Sequence, residues 1–363
     1  MVTTPEVGAR TALVTGIGGQ DGIYLSHSLL GRGYKVLGMI RPGGSTARLS
    51  TYLPEVETVP LDMRDVEGIA ALLKTHQPSE IYNLAALSSV GASWQEAELV
   101  AEINAMSVLR FLELLLRFRD SHHWGPRFYQ ASSSEMFGLA ESHPQNEATA
   151  HHPRSPYAAA KSFAHNITVN YRESYDLFLC SGILFNHESP LRPERFVTRK
   201  ITKAVAEIAL GRRESVTLGN LDVKRDWGAA ADYVEAMWSM MQQPNPDDFV
   251  IATGVSRPLL DVVRAAFSAA GIEDVEKYVT HDPSLRRPSD VPELRGDSSK
   301  AARLLGWHPQ QTFSGLISHM VWADIERIRS GEPESLRLLD PVNAFRSSWQ
   351  RRSLTTNHDR HRP

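Results

Sequence analysis

The chain has 363 residues, 42% of them apolar, and a formal net charge of −3. This size and apolar content can supply the core of one large α/β domain with additions or of two domains, and they exclude disorder over most of the chain. The charge balance offers no basic surface for nucleic acid or an anionic membrane, so small-molecule partners are favoured. No apolar run has the length of a membrane helix and the first residues lack a signal-peptide core, which predicts a cytoplasmic protein.

In the first half of the chain, short β-rich runs alternate with longer runs of helical period, as in a parallel sheet with crossover helices. The predicted strands are 11–16, 34–40, 56–62, 80–86, 127–133 and 177–186. One long helix is predicted over 97–118, from the sequence AELVAEINAMSVLRFLELLLRF. The fold class is therefore predicted as α/β, a Rossmann-type doubly wound parallel sheet with a smaller, partly interleaved C-terminal substrate domain.

After residue 187 the rhythm loosens into shorter elements, among them SVTLGN, DFVIATG and the helical run FSGLISHMVWADIERI. We expect residues 1–186 to form a dinucleotide-binding domain, to which some later segments return, and 187–334 to form mainly a substrate domain. The tail 335–363 is polar and without apolar period, so we expect little order there.

The cysteine and histidine content predicts neither a disulfide nor a metal site. The single cysteine, Cys180, lies in the apolar run LFLCSGILF, which favours a buried strand thiol over a nucleophile. Of the fourteen histidines, His122 and His123 are adjacent, as are His151 and His152, and this spacing suits loops better than zinc ligation.

The first chemical motif is TGIGGQDG, directly after the first predicted strand. Gly16, Gly19 and Gly22 form a GxxGxxG series, which permits close approach of a pyrophosphate to backbone N–H groups at a helix N-terminus, although a tight turn alone could also explain it. Arg41 stands at the end of the second strand, where an acidic residue would bind the ribose of NAD. A guanidinium there suits a 2′-phosphate and predicts NADP, unless Arg41 is an ordinary surface arginine.

The second motif combines a helix start with the end of the fifth strand. In RSPYAAAKS, Ser155 and Pro156 predict a helix start, after which Tyr157 and Lys161 fall on one helix face. Such a pair occurs in many helices. In QASSSEMFG, however, Ser133 and the nearby Glu135 follow a strand at the edge where open α/β sheets bind ligands, even though serines there are often turn residues. A lysine beside the phenol would favour the phenolate, which can accept a hydroxyl proton.

The glycine series and the Ser/Tyr/Lys set resemble the extended branch of the short-chain dehydrogenase/reductase superfamily. Longer stretches are similar, more narrowly, to the GDP-mannose 4,6-dehydratase family: TGIGGQDGIYL, EIYNLAALSSV, FYQASSSEMFG, HPRSPYAAAKSFAHNITVNYRE, GILFNHESPLRPERFVTRKI and LGNLDVKRDWGAAADYVEAMW. The resemblance runs from about residue 11 to 330. Its FNHESP and GNLDVKRDWG blocks are far more specific than the Tyr/Lys spacing.

The resemblance implies a lyase that converts GDP-mannose into GDP-4-keto-6-deoxymannose and water with recycled NADP+, and no metal. The catalytic residues it implies are Ser133, Glu135, Tyr157 and Lys161. The implied cofactor-binding residues are Gly16, Gly18, Gly19, Gln20, Asp21, Gly22, Arg41, Asp62, Met63, Leu84, Ala85, Ala86, Ser88, Tyr157, Lys161, His187 and Arg192. The candidate substrate-binding residues are Ser88, Ser133, Glu135, Asn186, Glu188, Val197, Lys200, Gly219, Lys224, Arg225, Arg287 and Asp290.

The family also implies a homodimer or homotetramer, with the dimer built on two long helices that contain residues 100–116 and 160–173. Ser133 departs from the family pattern but keeps a hydroxyl, so we expect this change to be tolerated. Other departures leave the sugar, the strength of cofactor binding and the tetramer open: Pro42, Leu87, Ser89, Leu99, Leu191 and Pro193. A dehydratase of a related GDP-sugar such as GDP-heptose would share the chemistry. A 4-epimerase or 4-ketoreductase would not need Glu135 as a C5 base, and a non-catalytic NADP-binding scaffold would be expected to lose the catalytic set.

Overall fold

The computed structural model describes residues 10–122, 124–285 and 289–339, which divide into two units. The first unit contains the described residues of Met1–His187, Arg225–Ser256 and Arg287–Pro309. The second contains those of Glu188–Lys224, Arg257–Arg286 and Gln310–Pro363. Within the described ranges, no helix combines the length and apolar character needed to cross a bilayer.

Short strands run through both units. They are β1 (Thr11–Thr15), β2 (Lys35–Ile40), β3 (Glu57–Pro60), β4 (Glu80–Asn83), β5 (Arg127–Ser133), β6 (Leu179–Leu184), β7 (Asn186–Glu188), β8 (Val216–Leu218), β9 (Lys224–Ala229), β10 (Asp248–Ile251), β11 (Ser256–Pro258), β12 (Val279–His281) and β13 (Glu293–Leu294). In the first unit, a smaller sheet pairs β9 with β7 and β13. In the second, β8 pairs with β12 in parallel.

The large sheet of the first unit has seven parallel strands in the order β3–β2–β1–β4–β5–β6–β10. The order reverses between β1 and β4, which is the switch point where doubly wound sheets bind ligands. The six predicted strands and the fold class are confirmed, with strands a few residues shorter than predicted. β10 is a seventh strand that the prediction lacks, and it comes from the region expected to be mainly substrate domain.

The helices lie between the strands and after them. They are α1 (Gln20–Gly31), α2 (Ala47–Tyr52), α3 (Val66–His76), α4 (Ala97–Ala101), α5 (Ser107–His122), α6 (Pro156–Tyr175), α7 (Val197–Ala209), α8 (Ala230–Met241), α9 (Leu259–Ala269), α10 (Ser299–Leu305) and α11 (Phe313–Ser330). The helical run predicted over 97–118 is confirmed, because α4, a π-helical turn at Glu102–Met106 and α5 follow one another without a break; the π-helical turn was not predicted. The side chain of Asn104 in that turn makes two hydrogen bonds to the backbone of Leu87, a tertiary contact that helical periodicity does not reveal.

The core of the first unit lies on both faces of the large sheet. On one face, Leu13, Ile81, Phe128 and Leu179 form a row across adjacent strands and pack against α3, α5 and α6. On the other face, α1 packs against α8. Complete burial of a side chain such as Phe128 contributes about 1.5–3 kcal/mol. Cys180 is buried in β6, where desolvation raises its pKa to about 11, as expected for an inert strand thiol.

In the second unit, α7, α9 and α11 pack together. Arg199 on α7 and Asp324 on α11 form a buried ion pair, with 2.6 Å between the guanidinium and the carboxylate. The same Arg199 donates to the carbonyl oxygen of Pro190 at 2.8 Å. Leu336–Leu339 form a 3₁₀ turn in which Leu338 is buried. The prediction of little order from residue 335 onward is therefore wrong for this turn. The rest of the predicted tail, 340–363, lies outside the described residues.

Candidate active site

The glycine motif forms the turn between β1 and α1. Gly16 has φ +68°, and a Cβ there would lie 2.9 Å from backbone atoms of Ala85. A Cβ on Gly22 would lie 2.5 Å from the Cα of Ile17, whereas one on Gly18 would meet no heavy atom within 4 Å. The turn therefore requires glycine for backbone packing and leaves open space beside Gly18, at the N-terminus of α1. A pyrophosphate fits this arrangement, so the residues present suit a dinucleotide cofactor.

At the ends of β2 and β3, the candidate adenosine contacts lie near one another. Arg41 is exposed, and Met63 is buried in the core. Asp62 accepts hydrogen bonds from the Arg64 guanidinium at 2.9 and 2.8 Å. These bonds hold the pKa of Asp62 at about 2, with a smaller contribution from the charge of Arg41. The ion pair between Asp62 and Arg64 was not anticipated from the sequence.

The four candidate catalytic residues lie at the end of β5 and at the start of α6. Ser133 caps the 3₁₀ turn Ser134–Met136, because its Oγ accepts from the backbone N–H of Glu135 at 3.3 Å. Ser155 caps α6 by accepting from the N–H of Ala158 at 3.1 Å, which confirms the predicted helix start. Tyr157 and Lys161 then follow one turn apart on α6, both buried.

Lys161 has a buried ammonium whose pKa is shifted from its ordinary value. Its side chain is buried, and its Nζ donates to the carbonyl oxygen of Ala131 on β5 at 2.8 Å. Desolvation lowers the pKa of Lys161 to about 8, and the negative charge of Asp21 opposes that shift. A buried ammonium on the face of α6 that carries Tyr157 can stabilise a phenolate more strongly than one in water could.

Glu135 lies beside a second buried cation. The Nε of Arg225, on β9, is 4.0 Å from its Oε1, and both side chains are largely buried. Arg225 also donates to the carbonyl oxygen of Val291 at 2.8 Å, which anchors the guanidinium. Arg225 was predicted as a substrate contact, and the structure places it next to the proposed base.

His187, in the middle of β7, is hydrogen-bonded to the start of α1. Its Nδ1 lies 2.7 Å from the carbonyl oxygen of Phe185, and its Nε2 lies 2.9 Å from the Oδ2 of Asp21. Gln20 donates to the carbonyl oxygen of His187 at 3.1 Å. Three candidate cofactor residues are thus tied together.

The segment after β4 carries further candidate cofactor contacts, and two residues hold it that the sequence reasoning missed. The Oγ1 of Thr15 accepts from the backbone N–H groups of Leu84 and Ala85 at 3.1 and 3.0 Å. Asn104 accepts from the N–H of Leu87 at 2.9 Å and donates to its carbonyl oxygen at 3.0 Å. Leu87 packs against the apolar cluster that contains Tyr157, so the π-helical turn supports a residue of that cluster's surroundings. Thr15 and Asn104 could have been found from the sequence, because each is a polar residue at a position where the pattern predicts an inward-facing side chain.

The candidate substrate residues fall in both units. Ser88, Asn186 and Asp290 in the first unit are partly buried. In the second unit, Val197 and Gly219 are partly buried and Lys224 is exposed. Arg287 lies outside the described residues.

Two of the charged candidates in the second unit are engaged within that unit. Glu188 accepts from the Oγ1 of Thr198 at 2.5 Å and pairs with Arg192 at 3.1 Å. The guanidinium of Arg192 in turn lies 3.7 Å from the ring centroid of Phe196. Lys200 donates to the carbonyl oxygen of Thr217 at 2.8 Å. These contacts hold the candidates in place within the second unit.

The fold is shared with solved nucleotide-sugar enzymes. The structure of dTDP-glucose 4,6-dehydratase from Bacillus anthracis in complex with NAD superposes with a TM-score of 0.75 at 19% identity, covering 91% of this chain and 100% of that one. At this identity the likeness shows only the class of fold to which the chain belongs.

Sequence relatives define the family within that class. The sequence profile described as GDP-mannose 4,6 dehydratase matches residues 13–320. GDP-mannose 4,6-dehydratase of Yersinia enterocolitica is 44% identical over 355 residues, with 88% of this chain and 95% of the relative covered. GDP-mannose 4,6 dehydratase 2 of Arabidopsis thaliana is 45% identical over 327 residues, with 87% of each covered. The chain therefore belongs to the GDP-mannose 4,6-dehydratase family.

Proposed function

We propose that the protein converts GDP-mannose into GDP-4-keto-6-deoxymannose and water with NADP+ that is regenerated in each turnover. The observation that carries the proposal is the convergence, at one edge of the sheet, of a Tyr/Lys pair with a largely buried carboxylate. A 4-epimerase or 4-ketoreductase has no need of a base for C5, so Glu135 favours the dehydratase. A related GDP-sugar would use the same groups.

We infer a division of labour among the residues of the site. Tyr157, as the phenolate favoured by Lys161, takes the proton of the sugar O4 hydroxyl. Glu135 removes the C5 proton, which the C4 ketone makes acidic, and then protonates the C6 hydroxyl as it leaves as water. Ser133 donates a hydrogen bond to the reacting sugar. Bound NADP+ would supply the hydride chemistry at C4 and C6. Tyr157 would then return its proton to C5, which replaces the proton that Glu135 removed and restores the phenolate.

We propose that the cofactor is held by the Gly16–Gly22 turn, Arg41, the Leu84–Ala86 segment and Lys161. Open space beside Gly18 at the start of α1 supports this placement. Exposed Arg41, close enough to act on the charge of Asp62, supports NADP over NAD. The first unit would thus bind the cofactor. Calorimetric titration should give tighter binding of NADP+ than of NAD+, and an equal or reversed preference would contradict the role of Arg41.

We also propose a homodimer formed by α5 and α6 packed against their symmetry mates as a four-helix bundle. Aromatic side chains on α6 support it, because Phe163 and Tyr175 are 40% and 41% exposed. Aromatic side chains are enriched at protein–protein interfaces relative to the rest of the surface. Exposed Pro42 stands where relatives usually have a second arginine, so a tetramer carries less support.

The test of the proposed function is incubation with GDP-mannose and NADP+, with mass spectrometry for a product lighter by one water. Tyr157→Phe should lower turnover by several orders of magnitude, because only the proton acceptor is lost. Tyr175→Phe on the same helix is the matched control and should remain active. Near-normal turnover of Tyr157→Phe would show that the site is wrongly assigned.

The role of Glu135 separates a dehydratase from its simpler relatives. Glu135→Gln cannot take the C5 proton, so it should accumulate reduced cofactor without releasing water, and the exposed Glu141→Gln should behave as the native enzyme. In heavy water the native enzyme should place deuterium at C5 and move a C4 hydrogen label to C6 of the product. Loss of that label to solvent, or dehydration by Glu135→Gln at the native rate, would refute the mechanism.

A further inference from the structure

A row of buried polar side chains crosses the large sheet just inside its carboxyl edge. Thr15, Asn83, Gln130 and Ser181 are direct neighbours on β1, β4, β5 and β6, and each is at most 2% exposed. Each lies two residues beyond a member of the apolar row that contacts α3, α5 and α6, so the polar row shares that face. Burial of polar groups is unfavourable unless they are hydrogen-bonded, so the row calls for an explanation.

Three of the four side chains form a continuous chain of hydrogen bonds. The hydroxyl of Thr15 donates to the Oδ1 of Asn83 at 2.8 Å, and the Nδ2 of Asn83 donates to the Oε1 of Gln130 at 2.8 Å. The Nε2 of Gln130 donates to the carbonyl oxygen of Ala131 at 3.1 Å. This is the carbonyl that accepts from Lys161, so the chain ends on the partner of the catalytic ammonium.

The direction of the chain is set by the chemistry of its end. A carbonyl only accepts, so Gln130 must turn its NH₂ to Ala131 and its oxygen to Asn83. Asn83 must then present its NH₂ to Gln130 and its oxygen to Thr15. Thr15 also accepts the N–H groups of Leu84 and Ala85, which belong to the proposed cofactor segment. The chain therefore connects that segment to Lys161 without passing through solvent.

Sheet stability alone does not account for the chain. Ser181 continues the same row on β6 and is fully buried, yet its Oγ makes no hydrogen bond within the described residues. The polar row is thus hydrogen-bonded from Thr15 to Gln130, which donates to the Ala131 carbonyl that also accepts from Lys161, and Ser181 is not joined to it. A purely structural row would have no reason to end its bonding there.

We propose that Gln130 is a positioning residue that orients the Ala131 carbonyl and thereby holds the ammonium of Lys161 beside the hydroxyl of Tyr157. Asn83 and Thr15 support Gln130 and relate its orientation to the Leu84–Ala86 segment. The proposal rests on the role of Lys161 in the proposed function. Gln130 touches no reacting atom, and its effect passes through the carbonyl and the lysine.

The test compares Gln130→Met, which keeps the length of the side chain and removes both hydrogen bonds, with Ser181→Ala as the matched control in the next strand. The first readout is the titration of Lys161 in the cofactor-free protein by ¹³Cε NMR, assigned by its loss in Lys161→Met. Gln130→Met should lower the Lys161 pKa by about half a unit or more, because the ammonium loses an oriented acceptor. Asp21, the acid acting on Lys161, is unchanged in every variant, as is Tyr157.

The second readout is the kinetics with GDP-mannose. Misplacement of the ammonium should reduce kcat about tenfold, with KM changed less than about twofold, because the substrate contacts are intact. Ser181→Ala should match the native protein in both readouts. If folded Gln130→Met also matches the native titration and kcat, the positioning role is refuted.

Gln130→Met leaves the Nδ2 of Asn83 without its acceptor in a buried place and could fail to fold. The double variant Asn83→Leu/Gln130→Met removes both partners and avoids that orphaned group, so the same lowered pKa and kcat are expected from it. A native titration in the double variant would overturn the proposal. If native protein fails to dehydrate GDP-mannose but its Lys161 titration moves in Gln130→Met, the positioning stands and the proposed function fails.

Discussion

Replacement of Lys161 by methionine should stabilise the cofactor-free protein while it abolishes turnover. The native ammonium is buried, and its pKa is lowered from 10.5 to about 8. This difference is equivalent to about 3 kcal/mol of unfolding free energy at about 1.4 kcal/mol per pKa unit. Methionine keeps a long unbranched side chain without the charge. The Ala131 carbonyl keeps a donor in Gln130, so no buried acceptor is orphaned.

The increase in unfolding free energy expected for Lys161→Met depends on pH in a defined way. Below pH 8 both the folded and the unfolded lysine are protonated, so the folded state bears the full cost of the buried charge. Between pH 8 and 10.5 the folded lysine is neutral while the unfolded one still binds a proton, so native stability rises with pH. The advantage of the variant should therefore fall from about 3 kcal/mol at neutral pH to about 2 kcal/mol near pH 9.

Urea unfolding of both proteins between about pH 6 and 10 measures this difference. Lys74→Met on α3 replaces an exposed lysine and should give no comparable gain. An equal or lower stability of Lys161→Met at neutral pH, or a gain that does not shrink toward alkaline pH, would refute the buried-charge argument. Turnover near the native level would separately remove Lys161 from the catalytic set.

Three further outcomes are expected. Gly22→Ala should lower the unfolding free energy by about 1–3 kcal/mol, because its Cβ would lie 2.5 Å from a backbone Cα. Gly18→Ala should keep the native melting temperature and weaken only cofactor binding. Equal melting temperatures of the two variants would contradict the close packing at Gly22. Asp324→Asn should lower the unfolding free energy by about 3–5 kcal/mol, since it leaves a buried arginine without its anion, and a loss under about 1 kcal/mol in urea titration would show that the pair is dispensable. Light scattering should show that the native protein is a dimer and that Phe163→Glu is a monomer. Leu304→Glu, at an exposed position on α10, is the control and should remain a dimer. A monomeric native protein would exclude the proposed bundle.

The first half of the fold was predictable because its signals are local. Apart from the partly exposed edge strand β3, the strands predicted in the large sheet are mostly buried. The Ser-Pro start of α6 carries its own cap, so these strands and this helix start were predicted close to their observed bounds. The placement of β10 was not, because an edge strand that enters from a distant segment carries no sequence mark of its neighbour. The π-helical turn at Glu102–Met106 was missed for a similar reason. Its Asn104 forms hydrogen bonds to the backbone of Leu87, a contact between segments that the local sequence does not reveal.

For the site, the sequence by itself determined which residue types meet at the carboxyl edge: the glycine turn, Ser133, Glu135 and the Tyr157/Lys161 pair. Each follows a strand or starts a helix, and parallel topology brings those positions to one edge. Only the tertiary structure decided how they are held, with Arg225 beside Glu135 and the chain from Thr15 to Gln130 behind Lys161. Such contacts join residues that are far apart in the chain, and their free energies depend on whether the polar groups are buried. The periodicity of the sequence indicates which apolar side chains are buried. It does not indicate which polar side chains are buried with them.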